Sequence, residues 1–266
     1  MMVAQTEQGE RREAWQTPKS HAPFFCPECC GEVILKKGRV REHHFAHKPP
    51  VTCLYGTGES QIHLKMKREI CEALRGEPNC ERCELERRLD GVRPDISLRI
   101  NGYPVAIEVQ RSNIPVEEID RRMIRYSELG IYVAWVFPPP SPDQPFNPKV
   151  WQRFLHSMFF GRIYFWVSGA LVQGVHLSPH YTWAETRTWF DEGGNENEAG
   201  GYWRKSKRAR KPVPCWYPFH LSQDFKPTRR NGFETREFDI PACRLWIDEK
   251  THPWWEESKP QGLPHL

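Results

Sequence analysis

Two short runs of alternating apolar and polar residues, on either side of an Asn-Gly pair, form the clearest pattern in this chain. Ile96, Leu98 and Ile100 alternate with polar residues before the pair, and apolar side chains follow it at positions 105, 107 and 109. Alternation with a period of two is typical of strands with one buried face, and Asn-Gly favours the turn of a two-residue hairpin. The pattern predicts a β-hairpin over residues 93–110 in which Ile100 pairs with Tyr103.

This predicted register brings two carboxylates together. Asp95 falls directly opposite Glu108, on the face away from the isoleucines, and opposed side chains have Cβ atoms about 4.5–5.5 Å apart. Two ionised carboxylates this close repel each other unless a divalent cation neutralises them. Gln110 lies on the same face as Glu108. An acid, a hairpin and then Glu-x-Gln correspond to the metal site of the PD-(D/E)xK nuclease superfold, with Gln where Lys is more frequent. A surface hairpin with incidental acids is the alternative.

A helical pattern precedes the hairpin. Apolar residues recur at helical spacing from residue 59 to residue 74. Glu59, His63 and Lys67 are four residues apart and project along one ridge beside the apolar stripe. On its own, such a ridge is typical of a solvated face. Next to a metal-binding hairpin, it predicts that Glu59 reaches the same cleft as a third acid, with His63 and Lys67 as further catalytic candidates.

A second helix and a buried strand follow the hairpin. Ser112 or Asn113 can cap this helix, and apolar residues at helical spacing continue to Leu129, after which Gly130 ends it. The continuous apolar run 131–137 predicts a buried strand. Arginine favours phosphate, although exposed helix arginines are at least as common without this role. The candidate phosphate contacts here are Arg111, Arg122 and Tyr126.

The predicted elements follow a specific order. With a first strand at about residues 83–89, the stretch 55–138 consists of a helix, a strand, a hairpin, a helix and a strand. This order predicts an α/β protein with the restriction-endonuclease-like αβββαβ core. The fold prediction and the metal site predicted from the hairpin therefore agree.

A small metal-binding ribbon is predicted ahead of this core, over residues 22–54. Cys26 and Cys29 are followed by a short hairpin and then by His44 and His47. Together they make a tetrahedral ligand set for structural Zn²⁺, which a ribbon this small needs as a staple. Unmetallated cysteines in a β-ribbon are the alternative. The spacing also leaves three further candidate ligands, which are Cys30, His43 and Cys53.

The C-terminal third, residues 149–266, is rich in aromatic residues. Five prolines among positions 138–145 predict a stiff linker at 139–148. Nine of the eleven tryptophans lie beyond it; such side chains form a core more often than they stack on unpaired bases. An acidic, glycine-rich stretch leads into six basic residues among positions 204–211. These features predict a flexible segment at 191–212 whose cations either face solvent or bind phosphates.

Composition limits the class of protein. The 266 residues are 38% hydrophobic and 27% charged, with a formal charge of +4 that is compatible with a polyanion partner without requiring one. The chain has neither an apolar run of about 20 residues for a membrane span nor a signal-peptide core at its start. Nine cysteines in this context indicate reduced thiols in a cytoplasmic protein. Cys80 and Cys83 are expected to be ordinary thiols rather than a second zinc site, and the polar residues 1–21 predict a flexible tail.

Several local motifs resemble the CoiA-like competence protein family. They are Cys26-Pro-Glu-Cys29, His44-Phe-Ala-His47, Glu59-Ser60-x-x-His63-x-x-x-Lys67, Arg93-Pro-Asp95 and Ala106-Ile-Glu108-Val-Gln110-Arg-Ser112. The resemblance covers about residues 22–137 and continues more weakly to Leu177. It implies a zinc-binding N-terminal segment on a nuclease domain that acts in processing or recombination of DNA taken up during transformation. It also implies that Glu-x-Gln is the family's own variant.

These observations predict a metal-dependent DNA nuclease. Asp95 and Glu108 are expected to hold Mg²⁺ or Mn²⁺, which polarises the scissile phosphate and lowers the pKa of a bound water. Glu59 is expected to hold that water or a second ion. Gln110 lacks the charge of a lysine, which the helix ridge is expected to supply.

The expected partners follow from this prediction. Single-stranded or branched DNA is the expected substrate, recombination proteins are candidate partners, and no membrane is involved. Two other classes of function stay open. One is a DNA-binding recombination accessory protein in which the nuclease fold is catalytically silent, an alternative that Gln110 supports. The other is a zinc-stapled protein-interaction module, which the N-terminal ribbon and the proline-rich linker support.

Overall fold

Two β-sheets and three α-helices organise the described part of the chain. The computed structural model describes residues 1–53, 55–56, 58–140, 146–214 and 217–248 as a mixed α/β protein. The N-terminal segment forms a five-stranded sheet with its own small core. Most of the remaining strands form a ten-stranded sheet that packs on the helices around the main core, and the others form two small two-stranded sheets. Of the helices described, none has both the length and the apolar character needed to cross a membrane.

The N-terminal sheet begins inside the segment predicted to be a flexible tail. Its strands are β1 (Val3–Gln5), β2 (Arg11–Glu13), β3 (Phe24–Phe25), β4 (Glu32–Lys36) and β5 (His44–His47). They lie in the order β2-β1-β3-β4-β5, and Met1 and Met2 are buried. The prediction of a flexible tail over residues 1–21 is therefore wrong. β1 and β2 pair with each other, and Gln5 of β1 also pairs with Phe25 of β3; local polarity does not reveal such backbone partners.

The next region supplies the elements around the candidate site. They are α1 (Gln61–Arg75), β6 (Cys80–Leu85), β7 (Ile96–Ile100), β8 (Tyr103–Val109), α2 (Val116–Glu128) and β9 (Tyr132–Phe137). Their order is the predicted one, and the strands lie side by side as β6-β7-β8-β9. β9 is parallel to β8, whereas the other neighbours are antiparallel. β6 lies a few residues earlier than predicted and stops before Glu86, whose positive φ of 48° is incompatible with a strand.

The β7–β8 hairpin has the predicted register. Asn101 and Gly102 have φ angles of 50° and 79°, and a type I′ turn requires positive φ at both positions. Ile100 pairs with Tyr103 directly after the turn, and the register continues without a break along β7. The two acids predicted to face each other therefore come to the same end of the hairpin.

The helices begin differently from each other. In α1 the Ser60 hydroxyl caps the first turn by accepting a hydrogen bond from the His63 N–H at 3.3 Å. The helix starts later than predicted, so Glu59 precedes it. α2 begins after Pro115 with no side-chain cap, and the predicted capping by Ser112 or Asn113 is wrong. Proline suits a helix start because its fixed φ is already helical.

The C-terminal region continues the same sheet. Its elements are α3 (Val150–Met158), β10 (Ile163–Ser168), β11 (Leu171–Ala184), β12 (Arg187–Phe190), β13 (Glu196–Ala199), β14 (Tyr202–Pro214), β15 (Phe219–His220), β16 (Phe225–Arg230), β17 (Phe233–Glu234), β18 (Asp239–Ile240) and β19 (Cys243–Asp248). β10 pairs in parallel with β9, and β11 and β14 extend the sheet further. Large aromatics such as Trp151, Tyr164 and Trp246 are buried, as expected for core residues.

Two predictions about this region meet different outcomes. Residues 141–145 of the predicted linker lie outside the described residues, whereas Phe146 packs on the Phe165 ring and bridges to Arg210. The prediction of a flexible segment at 191–212 is wrong. This segment contains β13 and most of β14, because β12 and β11 supply hydrogen-bond partners from earlier in the chain.

Candidate metal-binding cleft

A polar cleft of about 840 Å³ lies where the hairpin end meets α1 and the N-terminal sheet. The side chains singled out as candidates for chemistry line it together, and they are Glu59, His63, Lys67, Asp95, Glu108 and Gln110. Glu28, Cys53 and Tyr55 contribute to its other side. The predicted convergence of α1 with the hairpin is therefore present in the structure.

Asp95 makes the central hydrogen bonds of the cleft. Its Oδ2 accepts the Val109 N–H at 2.9 Å. Its Oδ1 lies 3.1 Å from Lys67 Nζ and 3.4 Å from His63 Nε2. Burial opposes ionisation, but Lys67, His63 and the Val109 amide outweigh it and hold the pKa of Asp95 well below its usual range. Asp95 is therefore an anion at neutral pH.

Lys67 is a buried cation shared by three acids. Its side chain is 1% exposed, and Nζ lies 2.7 Å from Glu59 Oε1, 3.1 Å from Asp95 Oδ1 and 2.5 Å from Glu86 Oε1. Burial disfavours an ammonium, yet the three carboxylates outweigh it and raise the pKa of Lys67 well above its usual value. Burial opposes the ionisation of Glu59, but Lys67 and the N-terminal ammonium of Met1, which lies 2.7 Å from Glu59 Oε2, outweigh it and lower the pKa of that carboxyl to about 2.

Glu86 is a residue of this cluster that the sequence patterns miss. Its buried carboxylate accepts the Met2 N–H at 2.8 Å, the Val3 N–H at 3.2 Å and the Tyr55 hydroxyl at 2.5 Å, besides contacting Lys67. These partners come from three separate stretches of the chain, so no local spacing marks Glu86. A lysine on the inner side of α1 implies a buried acid, but it does not indicate which one.

Glu108 is held by α2. Its Oε1 accepts the Tyr126 hydroxyl at 2.6 Å, and its Oε2 lies 3.2 Å from Arg122 Nη1. The carboxyl is buried, and burial raises the pKa of Glu108 to about 7. Arg122 opposes this rise and the charge of Asp95 adds to it. Glu108 therefore changes its protonation state near neutral pH.

The three predicted phosphate contacts have different surroundings. Tyr126 is completely buried with its hydroxyl on Glu108, so this prediction is wrong for Tyr126. Arg111 is exposed and is not among the residues that line the cleft. Arg122 does line the cleft; its side chain is 30% exposed, and its Nε donates to Glu118 at 2.7 Å. Of the three residues, Arg122 is the one with access to the cleft.

The side chains that lie close enough to share a metal ion are not the predicted pair, Asp95 and Glu108. Glu59, His63 and Asp95 each offer one ligand atom, and these atoms lie within 4.8 Å of one another. The predicted partner of Asp95, Glu108, has its carboxylate engaged by α2. Two carboxylate oxygens and an imidazole nitrogen suit Mn²⁺ and, with water oxygens added, Mg²⁺. The residues present fit a divalent cation, with Lys67 as a competing cation.

Gln110 lines the cleft, but its amide is used locally. Its Nε2 donates to the Ser112 carbonyl at 2.8 Å, and its backbone N–H donates to the Val136 carbonyl at 3.0 Å. An amide brings no charge to a bound phosphate. The ammonium that lies beside Asp95 comes instead from Lys67 on α1.

A second group of ligand atoms lies in the N-terminal sheet. One atom from each of Cys26, Cys29, His47 and Cys53 lies within 4.8 Å of the others, and Cys29 Sγ is 3.4 Å from His47 Nε2. Burial raises the pKa of Cys26 to about 11, whereas the Gly31 amide lowers the pKa of Cys29. Three thiols and an imidazole are a donor set that tetrahedral Zn²⁺ takes.

His44, predicted as a ligand, is not in this group, which we call the thiol cluster. His44 and His47 are three residues apart in β5, and side chains of a strand alternate between its two faces. The two imidazoles therefore point to opposite sides, and His44 Nδ1 lies 2.9 Å from the Glu42 carbonyl oxygen. Cys53, one of the alternatives left by the spacing, is the fourth member.

The remaining Cys-x-x-Cys pair lies apart from both groups. Cys83 is buried with its Sγ 3.4 Å from that of Cys71. Cys80 is half-buried, and burial raises the pKa of its thiol to about 11. Within the described ranges, neither Cys80 nor Cys83 belongs to a group of three or more metal-ligating side chains.

Arg93 and Tyr55 connect the thiol cluster with the cleft. Arg93 donates to Glu28, which lies between Cys26 and Cys29 in the sequence, and its guanidinium carbon is 4.1 Å from the centre of the Tyr55 ring. Tyr55 in turn donates to Glu86. The N-terminal sheet therefore forms one wall of the cleft.

Comparison with known proteins finds relatives for the first 160 residues. The family model of the competence protein CoiA N-terminal domain matches residues 7–56, and that of the CoiA nuclease-like domain matches residues 59–160. The competence protein CoiA of Bacillus subtilis is 32% identical over 114 residues, which are 42% of this chain and 31% of the Bacillus protein. The chain thus matches less than a third of that relative's length. No solved structure matches it.

Proposed function

Because the chain belongs to the CoiA-like family of competence proteins, we propose that it is a divalent-metal-dependent nuclease that processes DNA, in single-stranded or branched form. The observation that carries this proposal is the group formed by Glu59, His63 and Asp95, with ligand atoms within 4.8 Å of one another at the hairpin end. Glu59 is the first residue of the region matched by the nuclease-like family model, and His63 and Asp95 lie within that region.

The arrangement of the elements supports the proposal. A helix, an antiparallel three-stranded unit, a second helix and a parallel fourth strand are what the restriction-endonuclease-like αβββαβ core requires. In that core, the end of the hairpin carries the metal ligands. Because one fold hosts many functions, the proposal depends on the side chains in the cleft rather than on topology.

The acids of the cleft have separate roles in this mechanism. Glu59, His63 and Asp95 would hold Mg²⁺ or Mn²⁺, and the Val109 N–H, which donates to Asp95 Oδ2, orients that carboxylate. When bound, the cation polarises a phosphate and lowers the pKa of a water ligand. Glu108, with a pKa of about 7, releases its proton near neutral pH and then adds a carboxylate to the site.

Two cations of the chain add positive charge to the proposed site. Lys67 does so from behind the acids, because its buried Nζ is shared by Glu59, Glu86 and Asp95, and it supplies charge that Gln110 lacks. A fixed positive charge stabilises the negative charge that develops on the phosphate oxygens. Arg122 lines the same cleft with part of its guanidinium exposed and donates to a non-bridging oxygen.

A catalytically silent DNA-binding role is the second candidate. Gln110 favours it, because its amide is engaged by the Ser112 carbonyl and brings no charge to the cleft. In this role the cleft holds DNA for partner recombination proteins. In both roles we propose a structural Zn²⁺ on Cys26, Cys29, His47 and Cys53 of the N-terminal sheet.

A cleavage assay tests the nuclease. The purified full chain is incubated with single-stranded, duplex and branched DNA in Mg²⁺, Mn²⁺ or EDTA, beside Asp95→Ala and Glu108→Gln. The matched control is Glu117→Ala, an exposed acid on α2 outside the cleft. We expect cleavage that needs the metal, persists in the control and is lost in both cleft variants.

Two results contradict the nuclease proposal. Cleavage that survives in both cleft variants assigns the activity to other residues or to a contaminant. The absence of cleavage on all substrates, with DNA binding retained, favours the silent DNA-binding role.

A further inference from the structure

The strands β11 and β14 form a two-stranded arm at the edge of the large sheet. β10 pairs with β11 from Leu171 to Val175, whereas β14 pairs with β11 as far as Ala184. We call the distal part, residues 177–184 and 202–211, the aromatic–basic arm. It lies beyond residue 160, where the match to the nuclease-like family model ends.

Large aromatic side chains of the arm face solvent. Trp183 and Trp203 are directly opposite each other, with ring centres 5.6 Å apart, and they are 50% and 40% exposed. Tyr202 is 55% exposed. In the rest of the large sheet, tryptophans such as Trp135 and Trp246 are buried. Exposed aromatic pairs mark interaction sites more often than isolated surface residues do.

The arm also carries a run of exposed positive charge. Its exposed cations are Arg204, Lys205, Lys207, Arg208 and Lys211. The salt bridges found in the described C-terminal region join other side chains. A surface of this kind attracts a polyanion, and the attraction depends on ionic strength.

Aromatic and basic side chains share one face of the arm. Opposed residues of an antiparallel pair project to the same side, and so do alternate residues of a strand. Tyr181 lies opposite Lys205, and Trp183 lies opposite Trp203. This face therefore presents Tyr181, the two tryptophans and a lysine next to one another.

We propose that this face binds single-stranded DNA, with Trp183 and Trp203 stacking on unpaired bases and the neighbouring cations contacting phosphates. Stacking on aromatic side chains together with a basic track is how proteins hold single strands without sequence preference. Paired bases already stack on each other in a duplex, so the arm discriminates between the two forms. The inference rests on the proposed DNA-processing function, but it does not require that the cleft cuts DNA.

Binding of a labelled oligothymidine of about 20 nucleotides, long enough for a site of this type, tests the inference. The full chain is titrated in EDTA, and fluorescence anisotropy gives the Kd. Stacking contributes up to about a hundredfold in affinity per base, so we expect Trp183→Ala/Trp203→Ala to bind at least about tenfold more weakly. Affinity for a duplex of the same length should change less than about threefold.

Trp189→Ala is the matched control. Trp189 is 49% exposed on β12 and lies in an acidic hairpin, where β13 contributes Glu196 and Glu198. We expect the affinity of the Trp189→Ala chain for the single strand to equal that of the unmodified chain. An equal loss in the control, an equal loss for single strands and duplex, or no loss in the double variant overturns the inference.

Two further variants keep the test decisive. If circular dichroism shows that the tryptophan variant is misfolded, Lys205→Gln/Lys207→Gln/Arg208→Gln replaces it. Each lost phosphate contact should reduce the slope of log K against log salt by about 0.7, and an unchanged slope contradicts the inference. Asp95→Ala should retain binding of the single strand. A chain that binds through the arm but does not cut refutes the nuclease proposal alone.

Discussion

The cleft and the thiol cluster both gather metal-ligating side chains, but their charges are balanced differently. In the cleft, Lys67 places an ammonium between Glu59, Asp95 and Glu86. The thiol cluster offers three sulfurs and one imidazole nitrogen, and its thiols bind a metal tightly only as thiolates. The cleft therefore already holds a cation among its acids before a metal arrives, whereas the thiol cluster holds thiols that lose their protons when a metal binds.

This difference assigns separate roles to the two proposed metals. A divalent cation in the cleft competes with a resident ammonium and is expected to exchange readily. A zinc ion in the thiol cluster closes a small sheet that has few buried side chains of its own and is expected to be retained. A catalytic metal must exchange some of its ligands with water and substrate, whereas a structural metal must stay bound.

The largest effect expected from this comparison is loss of zinc from the N-terminal sheet. Cys29→Ser removes one of four ligands, and structural zinc contributes on the order of 10 kcal/mol to folding in small domains. We expect the bound zinc to fall from about one per chain to near zero, by elemental analysis, with the sheet unfolded. Cys30→Ser is the control, since this neighbouring cysteine is outside the thiol cluster. Purified protein that contains no zinc refutes the structural role.

The second largest effect is the loss of folding stability expected when the Lys67 ammonium is removed. Lys67→Met leaves three acids without their shared cation, and breaking a buried ion pair costs about 3–5 kcal/mol. Urea denaturation should show this loss, and Mn²⁺ should restore part of it in the variant while changing the parent little. Lys65→Met, at a side chain that is 47% exposed, should change stability by less than about 0.5 kcal/mol. Equal stability of the two variants contradicts the central position of Lys67.

The pH dependence of metal binding is a smaller effect. Burial raises the pKa of Glu108 to about 7, so this carboxyl is neutral below that pH and anionic above it. An added negative charge attracts a cation, so the affinity for Mn²⁺ should increase by roughly tenfold between about pH 6 and pH 8. Isothermal titration calorimetry at several pH values measures this. The increase should be smaller in Glu108→Gln, and an identical profile shows that Glu108 is not the titrating group.

The smallest effect is expected at Gln110. Because Lys67 already places an ammonium beside Asp95, Gln110→Lys should change the cleavage rate by less than about threefold, which is under about 0.7 kcal/mol. Gln110→Ala serves as the control for loss of the amide. A rate increase of tenfold or more in Gln110→Lys indicates that the parent cleft lacks the charge assigned to Lys67.

The parts of the site that depend on local pattern could be predicted from the sequence. The Asn101-Gly102 turn fixes the hairpin register by itself, because both residues accept positive φ. Helical spacing brought His63 and Lys67 towards the same cleft. These signals extend over a few residues, so a single sequence contains them in full.

The parts that depend on distant partners could not be predicted. Glu86 gains its role from β1, Tyr55 and α1 together. The spacing predicts His44 rather than Cys53 as the fourth ligand, because spacing alone does not show that residues 44–47 form a strand whose two histidines face opposite sides. The basic run 204–211 looks like a solvated loop until β11 supplies partners on both sides of an irregularity, for Arg204 and Lys205 and for Arg210 and Lys211.

The hydrogen bonds from Met2 and Val3 to Glu86 limit where the chain can be shortened. The two family models meet between residues 56 and 59, which invites the design of a minimal fragment that starts there. Such a fragment keeps the candidate ligands Glu59, His63 and Asp95 together with Lys67, yet it removes the Met2, Val3 and Tyr55 donors from Glu86, the acid that holds Lys67. We therefore expect a fragment that starts at the boundary between the two matched regions to have a less stable cleft, because the first region supplies the hydrogen-bond donors that hold Glu86 in place.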